Sequence, residues 1–202
     1  VMVVEDDAYG SIQFGPPRPP LRALPGAAER VLYVGSFSKI FSPGLRIGWI
    51  VAPPAVITQL QRLKGAADLQ TSSLSQIALS TSPAEQDLPR HLDRCRAHSR
   101  ARRDAMLAAL EASAPPGIHW TAPVSGFSLG ATLPQQLRAE SLLAPAIERG
   151  VAFEPGAAFF PTASPPNYLR LSFSNHTPEV ITEGIPRFTA LLKDALNGAP
   201  AG

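Results

Sequence analysis

Three stretches of the sequence carry residue types that do chemistry. In Gly35-Ser36-Phe37-Ser38-Lys39-Ile40-Phe41-Ser42-Pro43-Gly44-Leu45-Arg46-Ile47-Gly48, one lysine sits among hydroxyls and turn residues directly after a β-rich run, and an arginine follows. A lysine partly withdrawn from water has its pKa lowered, and its neutral amine attacks carbonyls. Ser36, Ser38 and Arg46 form a donor set suited to a phosphate, with hydroxyls as donors and the guanidinium as a fork. The second stretch, Val4-Glu5-Asp6-Asp7-Ala8-Tyr9, puts carboxylates at the end of an apolar run, where desolvation is costly unless a cation meets them. The third is Asn167-Tyr168-Leu169-Arg170-Leu171-Ser172-Phe173-Ser174, whose alternation turns Arg170 away from the leucines. Each has an ordinary reading when taken alone: a surface lysine, an acidic turn and a half-exposed arginine.

Positioning such groups requires strands that end at them. Apolar runs at 1–4, 31–35 and 47–52 read as buried strands of a sheet covered on both faces. Ligands of α/β sheets bind outside the carboxyl ends of strands, where Ser36, Ser38 and Lys39 fall. The proline-rich residues 15–20 exclude a helix or central strand and predict a surface loop. After Pro53-Pro54 the spacing of Val56, Ile57, Leu60 and Leu63 predicts a helix, and 73–80 a second. Pro83 opens a long amphipathic segment over 84–112, with Leu88, Leu92, Cys95, Ser99, Met106 and Leu110 near one stripe. Beyond it come a strand at 126–133, a helix at 139–149, short and longer strands at 151–153 and 168–173, and a helix at 178–196. That order describes a small α+β unit. The fold class is therefore α/β, with a boundary at Pro83 that sets off a small α+β domain (84–197) followed by a flexible tail (198–202).

Bulk properties narrow the function classes. With 45% hydrophobic and 17% charged residues the chain is an ordinary globular one. No stretch approaches the roughly 18 apolar residues of a membrane span, so a soluble protein is expected. The single Cys95 excludes an internal disulfide, and His91, His98, His119 and His176 lack zinc-site spacing, so no metal is expected. A cytoplasmic location fits. Arg90, Arg94, Arg96, Arg100, Arg102 and Arg103 crowd one stretch, but Asp93 and Asp104 interleave and no aromatics accompany them. A solvated helix face is expected there, rather than nucleic-acid binding. The chain opens on a strand already in progress, without a start methionine or leader, so a preceding N-terminal part is expected.

In combination these stretches resemble the fold type I pyridoxal-phosphate enzymes, specifically class I/II aminotransferases of the aminoadipate and aromatic type, in their C-terminal part. The similarity spans nearly the whole chain, and the run from Ser36 to Gly48 matches the family's lysine and phosphate-arginine pattern. The resemblance implies pyridoxal 5'-phosphate as cofactor, with Lys39 as the catalytic lysine that bonds it. Asp6 would face the ring nitrogen, Tyr9 the ring hydroxyl, and Ser36, Ser38 and Arg46 the phosphate. By the same resemblance, residues 1–83 would be the C-terminal portion of a large cofactor-binding domain with a mostly parallel sheet. The family's Asp-x-x-Tyr spacing favours Asp6 over Asp7, and its Arg-Leu-Ser-Phe-Ser run makes Arg170 the substrate-carboxylate arginine. Gly150-Val151-Ala152-Phe153-Glu154-Pro155-Gly156-Ala157-Ala158-Phe159-Phe160 resembles the segment that returns toward the substrate.

Two departures stand out. Pro123-Val124-Ser125-Gly126-Phe127-Ser128-Leu129-Gly130 has Ser125 for a usual glycine and Gly130 for a usual tryptophan. The phosphate-cradling helix, the ring-stacking aromatic and an asparagine lie upstream in relatives, so this chain alone is expected to bind cofactor poorly. The implied function is amino-group transfer between an amino acid and a 2-oxo acid by a homodimer when intact. The rival is an aminotransferase-like sensor domain of a GntR/MocR-type transcription regulator.

Overall fold

The computed structural model describes residues 1–163 and 165–198. Of the tail expected at 198–202, all but Gly198 lies outside the described residues. The chain divides into two compact units, Val1–Ala97 and His98–Gly202.

The first unit carries a three-stranded sheet in the order β1 (Val3–Asp6), β2 (Val31–Ser36), β3 (Gly48–Val51), with β1 and β2 parallel and β2 and β3 antiparallel. A parallel pair needs a long crossover. Here it is the proline-rich loop, fastened where the Glu5 carboxylate accepts from the Leu21 and Arg22 N–H groups at 2.7 and 3.2 Å. The expectation of buried strands holds only for the middle one. Val31 and Gly35 are buried, whereas Val3, Val4, Ile50 and Val51, on the two outer strands of the described sheet, are 41–65% exposed.

Helices α1 (Pro54–Ala67) and α2 (Ser73–Ser80) follow, α1 opening on the proline that favours a first turn and α2 capped by Ser72, whose hydroxyl accepts from Ser75 N at 3.3 Å. A short α3 (Pro83–Gln86) leads into the long α4 (Leu88–Ser113).

The sequence places the domain boundary at Pro83, whereas the compact division falls inside α4. The cause is local: before residue 98 the helix is tied to the first unit, His91 and Cys95 lying against the Ile40 carbonyl and Arg96 Nε donating to Ser11 O at 3.1 Å. After residue 98, Ser99, Met106, Ala109 and Leu110 are buried, the inner part of the expected stripe.

The second unit holds an antiparallel sheet in the order β4 (His119–Trp120), β5 (Ser128–Thr132), β7 (Tyr168–Ser172), β6 (Glu154–Pro155). One face contributes Leu129, Ala131, Leu169 and Leu171, all at most 2% exposed. Helix α6 (Pro178–Leu196) buries Ile181, Ile185, Phe188, Leu191 and Leu192 at helical spacing. Each such side chain contributes about 1.5–3 kcal/mol of transfer free energy.

Helix α5 (Ala139–Glu148) ends through Gly150 at φ 77° and a bond from Val151 N to Ala146 O. That wrap occupies residues 150–151, so pairing with β7 starts at Glu154 rather than in the expected 151–153 strand. The two-residue β4 had no sequence signal. Among the described residues no helix is long and apolar enough to cross a membrane.

Candidate active site

In the first unit the candidate residues collect at the carboxyl ends of β1 and β2. Asp6 and Ser36 are the last residues of their strands. The register Asp6↔Val34, with side chains alternating, puts Asp6, Val34 and Ser36 on one face. Asp6 is exposed, and among the described residues its carboxylate has no hydrogen-bond partner. Asp7 differs. It accepts from the Tyr33 hydroxyl at 3.0 Å, and a side chain on Gly10 would overlap its carboxylate. Burial, then the bond and charge of Asp7, push the Tyr33 phenol up to about 12.

Lys39 sits in a tight turn whose flanks are fixed. Ser38 N donates to Ser36 Oγ at 3.1 Å, Phe37 N to Ile47 O at 3.0 Å and Phe41 N to Phe37 O at 2.9 Å. The lysine side chain is exposed, with Nζ 6.0 Å from the centre of the Tyr9 ring. Ile40, the next residue, is buried, and His91 Nε2 lies 2.5 Å from its carbonyl oxygen, which requires that nitrogen to carry the hydrogen. The imidazole also stacks on Phe41, with ring centres 4.9 Å apart. Cys95 Sγ is 3.5 Å from the same His91 nitrogen. Burial pushes its thiol pKa up, against the lowering effect of Arg94 and Arg96. Sequence reasoning missed His91 as a support of the Lys39 turn. The contact spans 51 residues and leaves no local pattern, although Cys95 one turn later was on the inward stripe.

Arg46 ends the turn Pro43–Leu45 in the left-handed conformation, φ 54° and ψ 37°. Its Nη1 donates to Pro43 O at 3.3 Å and the side chain is exposed. The pairing Ser36↔Gly48 and the Phe37–Ile47 bond bring Ser38 and Arg46 to the same end of the β2–β3 hairpin. A cleft of about 650 Å³ opens beside Arg46, lined also by Val34, Gly48, Ile50, Leu60 and Lys64. One sheet edge thus offers an amine, a phenol, an unpartnered carboxylate, two hydroxyls and a guanidinium. That set offers an amine to a carbonyl, a carboxylate to a cation, and hydroxyls with a guanidinium to a phosphate.

In the second unit Arg170 lies between Gly130 and Glu154 in register, on the face opposite the buried leucines. Its Nη2 donates to Glu154 Oε2, its guanidinium carbon stands 4.3 Å over the Phe159 ring, and its Nε is buried without a partner. Gly156 opens the turn Gly156–Phe159 that delivers Phe159. The missing tryptophan has a structural counterpart: Tyr168 reaches across Gly130, where any Cβ would overlap its hydroxyl, and Phe160 packs edge-on against it at 5.2 Å.

The arginine-rich stretch is only partly a solvated face. Arg90, Arg94 and Arg100 are exposed, but Arg96, Arg102 and Arg103 donate to the carbonyls of Ser11, Ser174 and Pro123 at 3.1, 3.1 and 2.7 Å.

Residues 1–188 match the family model described as Aminotransferase class I and II. Aromatic-amino-acid aminotransferase 1 of Thermococcus litoralis is 39% identical over 96% of this chain and 47% of its own length. The α-aminoadipate aminotransferase LysN of Thermus thermophilus, solved with N-(5'-phosphopyridoxyl)-L-leucine, is 38% identical, with a TM-score of 0.92 over 98% of this chain and 51% of that one. An uncharacterized HTH-type transcriptional regulator of Bacillus subtilis, YisV, is 36% identical over 85% of this chain and 35% of its own length. The chain spans about half the length of the transaminases it matches.

Proposed function

Because the chain belongs to the class I and II aminotransferases, we propose that it supplies the lysine-bearing part of a pyridoxal-phosphate enzyme that moves an amino group between an amino acid and a 2-oxo acid. The observation that carries this reading is the sheet edge where the exposed Lys39 amine lies 6.0 Å from the Tyr9 ring, with unpartnered Asp6 on the face of Ser36. Pyridoxal phosphate, when bound, supplies a carbonyl for an amine and an electron sink for a carbanion at the substrate α-carbon.

Around that group the residues have separable tasks. Asp6, a carboxylate with no internal cation, keeps the ring nitrogen protonated, and Tyr9 holds the ring hydroxyl. Ser36, Ser38 and Arg46 hold the phosphate. Once a substrate amine takes its place on the cofactor carbonyl, the freed Lys39 Nζ would carry the proton from the substrate α-carbon to that former carbonyl carbon. Arg170 binds the α-carboxylate, matching planar donors to a planar acceptor. A homodimer and a cytoplasmic location belong to the same proposal, as does the division of residues 1–83 from 84–197 by role.

The test exploits composition, because the chain has three lysines: Lys39, Lys64 and Lys193. After incubation with pyridoxal phosphate in excess of the weak binding expected of this chain alone, and borohydride reduction, peptide mass mapping is expected to show Lys39 labelled faster than Lys64 and Lys193. Labelling of Lys64 and Lys193 as fast as that of Lys39 would overturn the assignment. The likeness to an HTH-type regulator favours a second reading, a sensing domain on the same cofactor chemistry. It predicts cofactor labelling at Lys39 without stoichiometric formation of a new amino acid from 2-oxoglutarate.

A further inference from the structure

We propose that Glu154 is an internal competitor for Arg170, and so sets how tightly this protein holds a carboxylate ligand. The proposal rests on the reading of Arg170 as the carboxylate arginine and adds a residue that works against it.

The pairing is built into the sheet. Glu154 and Arg170 are direct partners in the β6–β7 register, and Pro155 with the turn Gly156–Phe159 fixes the short strand on its far side. Directly opposed residues of an antiparallel pair lie within side-chain reach. The Arg170 guanidinium is further fixed by the Phe159 ring beneath it.

The contact is half-made. Nε and Nη2 form one edge of a guanidinium, the fork that takes a carboxylate through two parallel bonds. Glu154 uses Nη2 only, while Nε beside it is shut off from solvent and unanswered. A buried donor without an acceptor is costly. A ligand carboxylate that takes both nitrogens satisfies Nε and returns Glu154 to water. That return is cheap, because the Glu154 side chain is already 53% exposed. Ligand entry is therefore an exchange of one carboxylate for another. Its balance depends on the strength of a half-exposed ion pair, worth about a two- to fivefold factor.

The test uses the 202-residue chain and phenylglyoxal, which modifies guanidinium groups, with the rate at Arg170 read by peptide mass. E154Q is expected to raise that rate about two- to fivefold. Added salt is expected to raise the wild-type rate and leave that of E154Q unchanged, as for a screened ion pair. E154D is expected to fall between them. Arg103, held by the Pro123 carbonyl, is the internal control, since general loosening of the fold would raise its rate too. With 2-oxoglutarate as probe, protection of Arg170 is expected at lower concentration in E154Q than in wild type. Equal Arg170 rates in the two proteins, with protection intact, overturn the competition alone. Faster labelling of E154Q with no protection in either protein overturns the Arg170 assignment, and the proposal with it.

Discussion

The Tyr33 hydroxyl donates to Asp7 Oδ2 at 3.0 Å, while the neighbouring Asp6 carboxylate has no partner among the described residues. Two adjacent acids thus stand in different environments. The bond fixes a titration. The Tyr33 phenol is pushed from 10.0 to about 12 by burial and by Asp7, and the raised value means that the folded state favours the neutral form. Its stabilising contribution is full below about pH 10 and fades as pH rises toward about 12. Tyr33→Phe is expected to remove a phenolate absorbance step near 12 and to cost about 1 kcal/mol in denaturant unfolding at neutral pH.

Asp6 and Asp7 are expected to respond oppositely to the same substitution. Asp6→Asn should leave unfolding within about 0.5 kcal/mol of wild type but lower transaminase turnover of the holoenzyme by about 10²-fold. Asp7→Asn should lower stability by up to about 1 kcal/mol through the weakened Tyr33 bond. Calorimetry and turnover on both variants check the pair, and the reverse pattern would move the ring-nitrogen role to Asp7.

Gly130 leaves the space into which the Tyr168 phenol extends. Since a Cβ there would overlap the Tyr168 hydroxyl, Gly130→Ala is expected to cost about 1–3 kcal/mol. Tyr168→Phe in the same chain should recover part of that loss. A double-mutant cycle by denaturant unfolding measures the coupling, and additive losses would contradict it.

His91 is expected to hold the backbone beside Lys39. Removing it leaves the Ile40 carbonyl without its donor, so His91→Ala should cost about 1–3 kcal/mol. It should also speed amide exchange in the turn around Lys39. His91→Gln, which can still donate, should restore part of the protection. Unchanged exchange at residues 38–41 in His91→Ala would remove this role.

What was legible in the sequence was whatever a short window encodes. Helices α2 and α6 lie at 73–80 and 178–196 as read, because the Ser72 cap of α2, the opening proline of α6 and their apolar spacing are local. Gathering Asp6, Tyr9, Ser36 and Lys39 at one edge needed only that two apolar runs pair in parallel. The illegible parts are set by distant partners. Exposure of Val3 and Ile50 depends on what packs on the faces of the outer strands, which their own hydrophobicity does not encode. Glu154 is the neighbour of Arg170 through the β6–β7 register, a pairing of residues 16 apart that no short window encodes. His91 meets Ile40 only because α4 turns its first part toward the lysine loop.

Arg46, at φ 54°, occupies a conformation that glycine adopts freely and that costs other residues about 1–2 kcal/mol. Considered as a site under mutational drift, position 46 has a standing pull toward glycine or asparagine, since either would relieve the backbone. An arginine there presents its guanidinium beside the β2–β3 hairpin end at the expense of a relaxed backbone. Arg46→Gly is then the rare substitution that should make the fold more robust while making the protein less fit.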